Sequence, residues 1–263
     1  MQGKILSGDN FDFDLMDYLS FKSEEVNEIL NKPRFQLNTD EVSSRVINHW
    51  EDKMLISPYR QNDTGHRKYS LIEFVWVNII IQLRAFGVGL DEISLANSLL
   101  FKRQGSGRVP SEILEMYIVM ALLRKDWVYL LFYQGGAFDL ATRNDVNFTE
   151  RLHALEPHFR VCLNELIRQI FGKDSLSPLP KSSNELSNSE KKLLLLMRTG
   201  DYSEITVKMS NGTIKRLELT ESKSESKLYK LLKEKTYDTI TLERREGEVV
   251  HVKRKIKVKM NHD

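Results

Sequence analysis

The chain has 263 residues, 41% of them hydrophobic and 29% charged, which is enough apolar material for more than one folded unit. Its 39 Lys and Arg against 37 Asp and Glu leave a formal charge of +2, so it is no polycation, and any nucleic-acid surface must be a local patch. One cysteine, Cys162, excludes an intramolecular disulfide, and the 6 histidines lack the short spacings of a metal site, so no metal and no cofactor are expected.

Residues 1–20 are acidic through Asp9, Asp12, Asp14 and Asp17, and without a helical or strand period they are expected to be a mobile tail. They do not resemble a basic, apolar secretory leader. No apolar run approaches the ~18 residues of a membrane span, and Val75–Ile81 is broken by Asn78, so a cytoplasmic protein without membrane contact is expected. Ser23-Glu24-Glu25-Val26 opens a short helix with Val26, Ile29 and Leu30 on one side, and Lys32-Pro33 stops it.

Ser43 caps a helix running through Glu51, with Val46, Ile47 and Trp50 as its apolar side and Leu55 and Ile56 in the loop beyond. Tyr59-Arg60 and His66-Arg67-Lys68-Tyr69 read as two short strands joined by the polar tip Gln61–Gly65. Ser70-Leu71-Ile72-Glu73 is a capping box for a helix that runs to Phe86 and ends on Gly87. A further helix spans Asp91 to Phe101. Lys102–Pro110, basic and glycine-rich, reads as a linker; it lacks the spacing of a phosphate-binding loop.

Residues 109–172 form a second, α+β module: a helix over Ser111–Arg124, a strand over Trp127–Gln134, a Gly135-Gly136 turn and a partner strand over Ala137–Ala141. A third strand over Phe159–Leu163 and a helix over Asn164–Phe171 close it. Residues 173–189, with prolines, serines and asparagines, read as a flexible linker. Residues 190–260 repeat on themselves: Leu193, Leu196, Tyr202, Ile205, Gly212 and Leu217 recur as Leu228, Leu231, Tyr237, Ile240, Gly247 and Val252. Each copy reads helix, strand, glycine turn, strand. The basic run Lys253–Lys259 that follows is readable as phosphate-contacting charge or as a sheet edge protected by lysines.

The stretch Ile47-Asn48-His49-Trp50-Glu51, Leu55-Ile56-Ser57-Pro58-Tyr59-Arg60, Gly65-His66-Arg67-Lys68-Tyr69, Leu83-Arg84 and Phe86–Ile93 resembles, in order and spacing, the reader head of MerR-family proteins. The resemblance covers residues 42–95 and implies a winged helix-turn-helix over residues 21–103 of a bacterial regulator binding double-stranded DNA as a homodimer. It maps Ser43, Arg45, Asn48, His49 and Trp50 onto the recognition helix, and Arg60, His66, Arg67, Lys68 and Tyr69 onto the wing. Asn48 stands where the family carries arginine, and His49 and Trp50 replace its paired tyrosines. Arg and Asn offer bidentate bonds to base edges, and wing cations hold register on phosphates. Residues 40–103 nevertheless balance eight basic against eight acidic side chains.

The expected fold is thus α+β in three parts, and the expected function is sequence-specific DNA binding that regulates transcription. Residues 109–172 would serve dimerisation or contact with an effector or partner, and a protein partner could also meet the C-terminal module. Two alternatives stay open: a DNA-bending accessory factor of a mobile element, and a protein-interaction scaffold. No catalytic constellation stands out, so no enzyme is expected.

Overall fold

Leu71 to Ala85 is a near-continuous apolar sequence, and a helix of that kind must be covered on every side. It forms α4 (Leu71–Ala85), in which Leu71, Ile72, Val75, Trp76, Val77, Ile79, Ile80 and Leu83 are all 0% exposed. The cover comes from α2 (Glu24–Asn31), α5 (Leu90–Leu100) and α8 (Leu163–Phe171). The computed structural model describes residues 10–37, 42–60, 66–104, 107–123, 126–171, 186–198, 202–210, 213–223, 239–245 and 248–259. The fold is α+β, and the chain divides into two units, Met1–Lys173 and Asp174–Asp263. The helical head and the α+β module lie together in the first.

Part of the acidic N-terminus departs from the expected mobile tail. Asn10–Phe21 is a helix, α1, that packs on α6 (Glu112–Leu123) and buries Tyr18 and Phe21. Its anchor is Glu115, 2% exposed, whose carboxylate accepts from the Tyr18 hydroxyl at 2.7 Å, Lys22 Nζ at 2.7 Å and Asn31 Nδ2 at 2.9 Å. A buried carboxylate is tolerated only when paired and hydrogen-bonded, and here three donors converge on it. Burial, with Glu115 beside it, pushes the Tyr18 hydroxyl far above the ordinary tyrosine range.

The stretch expected to be a linker is a hairpin, β1 (Phe101–Gln104) with β2 (Gly107–Pro110), in antiparallel register from Phe101↔Pro110 to Gln104↔Gly107. Arg108 holds it down. Its guanidinium lies 3.9 Å from the Phe101 ring centre and forks onto Glu73 with bonds of 2.8 and 2.7 Å. That alters the cap of α4. Ser70 Oγ accepts the Glu73 amide at 3.1 Å as expected, but the Glu73 carboxylate turns to Arg108 rather than back to the Ser70 amide. A bidentate, charge-assisted pair outcompetes a single capping bond.

Beyond α6 the strands β3 (Val128–Tyr133), β4 (Phe138–Thr142) and β5 (His158–Cys162) make an antiparallel sheet in the order β4-β3-β5. Between β4 and β5 lies α7 (Arg143–Arg151), which the periodicity of the sequence does not announce. Thr142 and Asp145 form its capping box, and only Val146 and Thr149 are buried. Gly135 and Gly136 make the tight turn at φ +82° and +83°. Gly136 is pressed against α5: a Cβ there would sit 2.9 Å from the Glu92 carbonyl oxygen, whereas one at Gly135 would meet nothing within 4 Å. The Glu92 carboxylate bonds both the Gly89 amide at the start of α5 (3.0 Å) and the Gly135 amide (3.2 Å).

The second unit holds α9 (Asn188–Arg198) and the strands β6 (Glu204–Ser210), β7 (Thr213–Lys223), β8 (Thr239–Arg245) and β9 (Glu248–Lys259). Their sheet runs β6-β7-β9-β8, antiparallel throughout. Each sequence repeat supplies one hairpin, and the two hairpins join through their second strands. Helix α9 buries Leu195 and Leu196 and packs on β7, where Leu217 and Leu219 are buried. The helix expected for the second copy falls on residues 224–238, outside the described residues. The basic run is the end of β9: up to Lys255 it lies between β7 and β8, whereas residues 256–259 pair with β7 alone.

All three tryptophans, Trp50, Trp76 and Trp127, lie in the first unit, so their fluorescence reports its unfolding alone. In urea unfolding, Gly135→Ala is expected to cost about 1–2 kcal/mol for the left-handed backbone alone. Gly136→Ala should cost a further ~1–3 kcal/mol for overpacking against Glu92. Equal losses at the two positions would contradict the close approach of turn and helix.

Candidate nucleic-acid interface

Helix α3 (Ser44–Asp52) has a sequence that divides at a period of 3.6: Ile47 and Trp50 are each 4% exposed, while Arg45, Asn48, His49 and Asp52 are exposed. Ser43 caps it, its hydroxyl accepting the Val46 amide at 3.4 Å. Val46, expected on the apolar side, is 39% exposed, because it lies one residue off the Ile47–Trp50 stripe. The exit of α3 is fixed from below. Trp76 Nε1 of α4 donates to the Leu55 carbonyl at 3.0 Å, and Asn97 Nδ2 of α5 donates to the Met54 carbonyl at 3.1 Å. Asn97 Oδ1 in turn accepts from Arg108, so hairpin, α4, α5 and the end of α3 share one polar network.

The expected wing strands are reduced to single bridges. Tyr59 and Lys68 exchange backbone bonds of 2.8 and 2.9 Å, and Tyr69 pairs with Phe35 behind α2; the tip 61–65 lies outside the described residues. What docks these strands on α3 is Glu51, a half-buried residue between the exposed face and the core. Its carboxylate takes Arg67 Nε at 2.5 Å on one oxygen and Arg60 on the other, and Arg67 also donates to Asn48 Oδ1.

Of the expected site residues, the structure gathers Arg45, Asn48, His49, Arg60, Arg67 and the Ser43 cap around one helix face and its flank. His66 is exposed and Lys68 half-buried on the wing. Trp50 and Tyr69 do not reach that surface: at 4% and 1% exposure they belong to the scaffold under it. Burial first, then the charge of Glu51, pushes the Tyr69 hydroxyl up to about 12. Sequence reasoning does not single out Glu51 as a functional residue. Its signal is an acid beside the polar face of α3, with arginines at both ends of the following hairpin.

Residues 40–97 match the family model described as MerR HTH family regulatory protein, so this segment is a DNA-binding, regulatory helix-turn-helix of that type. No curated protein and no solved structure matches the chain. After α5 the chain runs through the β1–β2 hairpin into α6, whose residues Leu114–Leu123 are all buried in the first unit. Among the described residues no helix is long and apolar enough to cross a membrane.

Removing the clamp has a local signature. Glu51→Ala deletes charge-assisted bonds worth about 1.5 kcal/mol, so amide exchange at Tyr59 and Lys68 should speed up roughly tenfold while Trp76 stays protected. Unchanged exchange at the wing would mean that Glu51 does not hold it.

Proposed function

We propose that the chain is a sequence-specific, DNA-binding regulator of transcription that acts as a homodimer, with α3 in the major groove and the wing strands along the flanking phosphates. The observation that carries this reading is the joint exposure of Arg45, Asn48 and His49 on a capped helix, with a wing arginine hydrogen-bonded to Asn48. Arg and Asn at the start of a helix match the bidentate patterns of guanine and adenine edges. Trp50 and Tyr69 act beneath the surface by fixing the helix and the wing. Self-association is supported by exposed aromatic surface on the first unit, where Phe86 stacks on Phe159 at 5.6 Å although the two remain 59% and 45% exposed.

The test is retention of fragmented genomic DNA by the purified chain, with sequencing of what is kept. A few fragments sharing a motif are expected, and Arg45→Ala or Asn48→Ala should each weaken binding by about 1–3 kcal/mol and relax the preference at one position. Tyr69→Phe, which keeps the buried ring, should retain the same fragments as the parent. Motif-free retention overturns specific readout by α3. The charge balance of residues 40–103 favours a second reading, in which the same face binds a protein, and binding that ignores salt would support it.

A further inference from the structure

Asn48 is exposed on α3, and an exposed asparagine has two ends to offer. Turning its carboxamide by half a revolution exchanges a carbonyl acceptor for an amino donor. The two ends suit different base edges, so an amide that turns freely discriminates poorly. In this structure the amide is held. Arg67 donates to Asn48 Oδ1. A guanidinium carries five N–H donors and no acceptor, so only the oxygen end of Asn48 can face it, and Nδ2 is left for other partners.

Arg67 is itself held by Glu51. Its Nε donates to one carboxylate oxygen at 2.5 Å, and Arg60 donates to the other. Asn48 and Glu51 stand three residues apart on one side of α3, which lets a single guanidinium reach both. The bonds therefore run from a half-buried acid to an exposed amide, through an arginine side chain that is only 26% exposed. Docking the wing does not require the last of these links. The carboxylate already ties Arg60 and Arg67 to α3, yet Arg67 turns a further N–H to a side chain of the exposed face.

In the major groove guanine presents two acceptors, adenine an acceptor and an amino donor, thymine an acceptor and a methyl group, and cytosine an amino donor alone. An asparagine with both ends free pairs best with adenine, accepting from its amino group and donating to N7. With Oδ1 taken by Arg67, the adenine amino group would have to share that oxygen. Guanine meets the amino end of Asn48 with acceptors only.

We infer that Glu51 and Arg67 are positioning residues for base discrimination, a role that rests on the DNA-binding reading of α3. They fix the Asn48 carboxamide so that it reads as a hydrogen-bond donor, with guanine preferred to adenine and cytosine rejected at the position it meets.

Selection of bound duplexes from a randomised pool tests this, with the full chain as parent and with Asn48→Ala, Arg67→Ala and Glu51→Gln variants. The affinity of each for a mixed-sequence duplex is measured alongside. The position that loses its preference in Asn48→Ala is the one Asn48 reads, and there the parent should favour guanine over cytosine by roughly tenfold or more. Arg67→Ala and Glu51→Gln should both shift that position from guanine toward adenine, because Oδ1 is released. Their affinities for the mixed duplex should move in opposite directions. Arg67→Ala removes a cation and weakens binding, whereas Glu51→Gln removes an acid, frees two arginines and tightens it. A purely structural clamp would not give one shift in preference under two opposite changes in affinity. A parent that prefers adenine or cytosine at this position overturns the inference and leaves reading by α3 standing. So does a uniform loss of affinity in the variants with guanine still preferred. A selected pool with no shared motif overturns both.

Discussion

A helix with no polar side has to be surrounded, and α4 imposes that condition on the first 173 residues. Its eight fully buried side chains need partners in every direction. The elements that supply them come from both sides of it in sequence, α2 before and α5 and α8 after. Head and α+β module therefore cannot part without exposing that helix to water, at roughly 1.5–3 kcal/mol for each large apolar side chain. Helix α3 inherits this rigidity through Trp76 and Asn97, which hold the chain as it leaves that helix.

Charge on the reading head is arranged for position before attraction. Glu51 sets an acid beside the exposed face of α3, and its charge holds both wing arginines. The cost falls on Arg60 and Arg67, whose cations are partly neutralised within the protein. The basic run Lys253–Lys259 lies far along the sequence from the helix that resembles a base reader.

Elements built from local pattern were legible in the sequence. The 3.6-residue stripes of α2 and α3, the capping serine and terminal glycine of α4, the glycine turn between β3 and β4, and the internal repeat of the second unit could each be read from neighbouring residues. So could the MerR-type segment, whose pieces carry their spacing with them. Features that rest on distant partners were not legible. Helix α1 depends on Tyr18 meeting Glu115, 97 residues away, and without that pair the stretch is only acidic. The β1–β2 hairpin depends on Arg108 reaching Glu73 across 35 residues, and its glycines suggested a linker. Helix α7 buries too little to show an apolar stripe. In the interface, type and spacing pointed to the right helix and hairpin but not to their inner and outer sides: Trp50, Tyr69 and Val46 needed the fold to place them.

The clamp at Glu51 gives salt two places to act. Dissolved ions screen phosphates from basic side chains, and they also weaken the partly exposed pairs that hold the hairpin against α3. As ionic strength rises, the head proposed to bind DNA would lose part of its own preorganisation along with its attraction to phosphate. The absolute salt slope of such a protein counts more than phosphates. Only the difference between chains that share an intact clamp measures contacts alone.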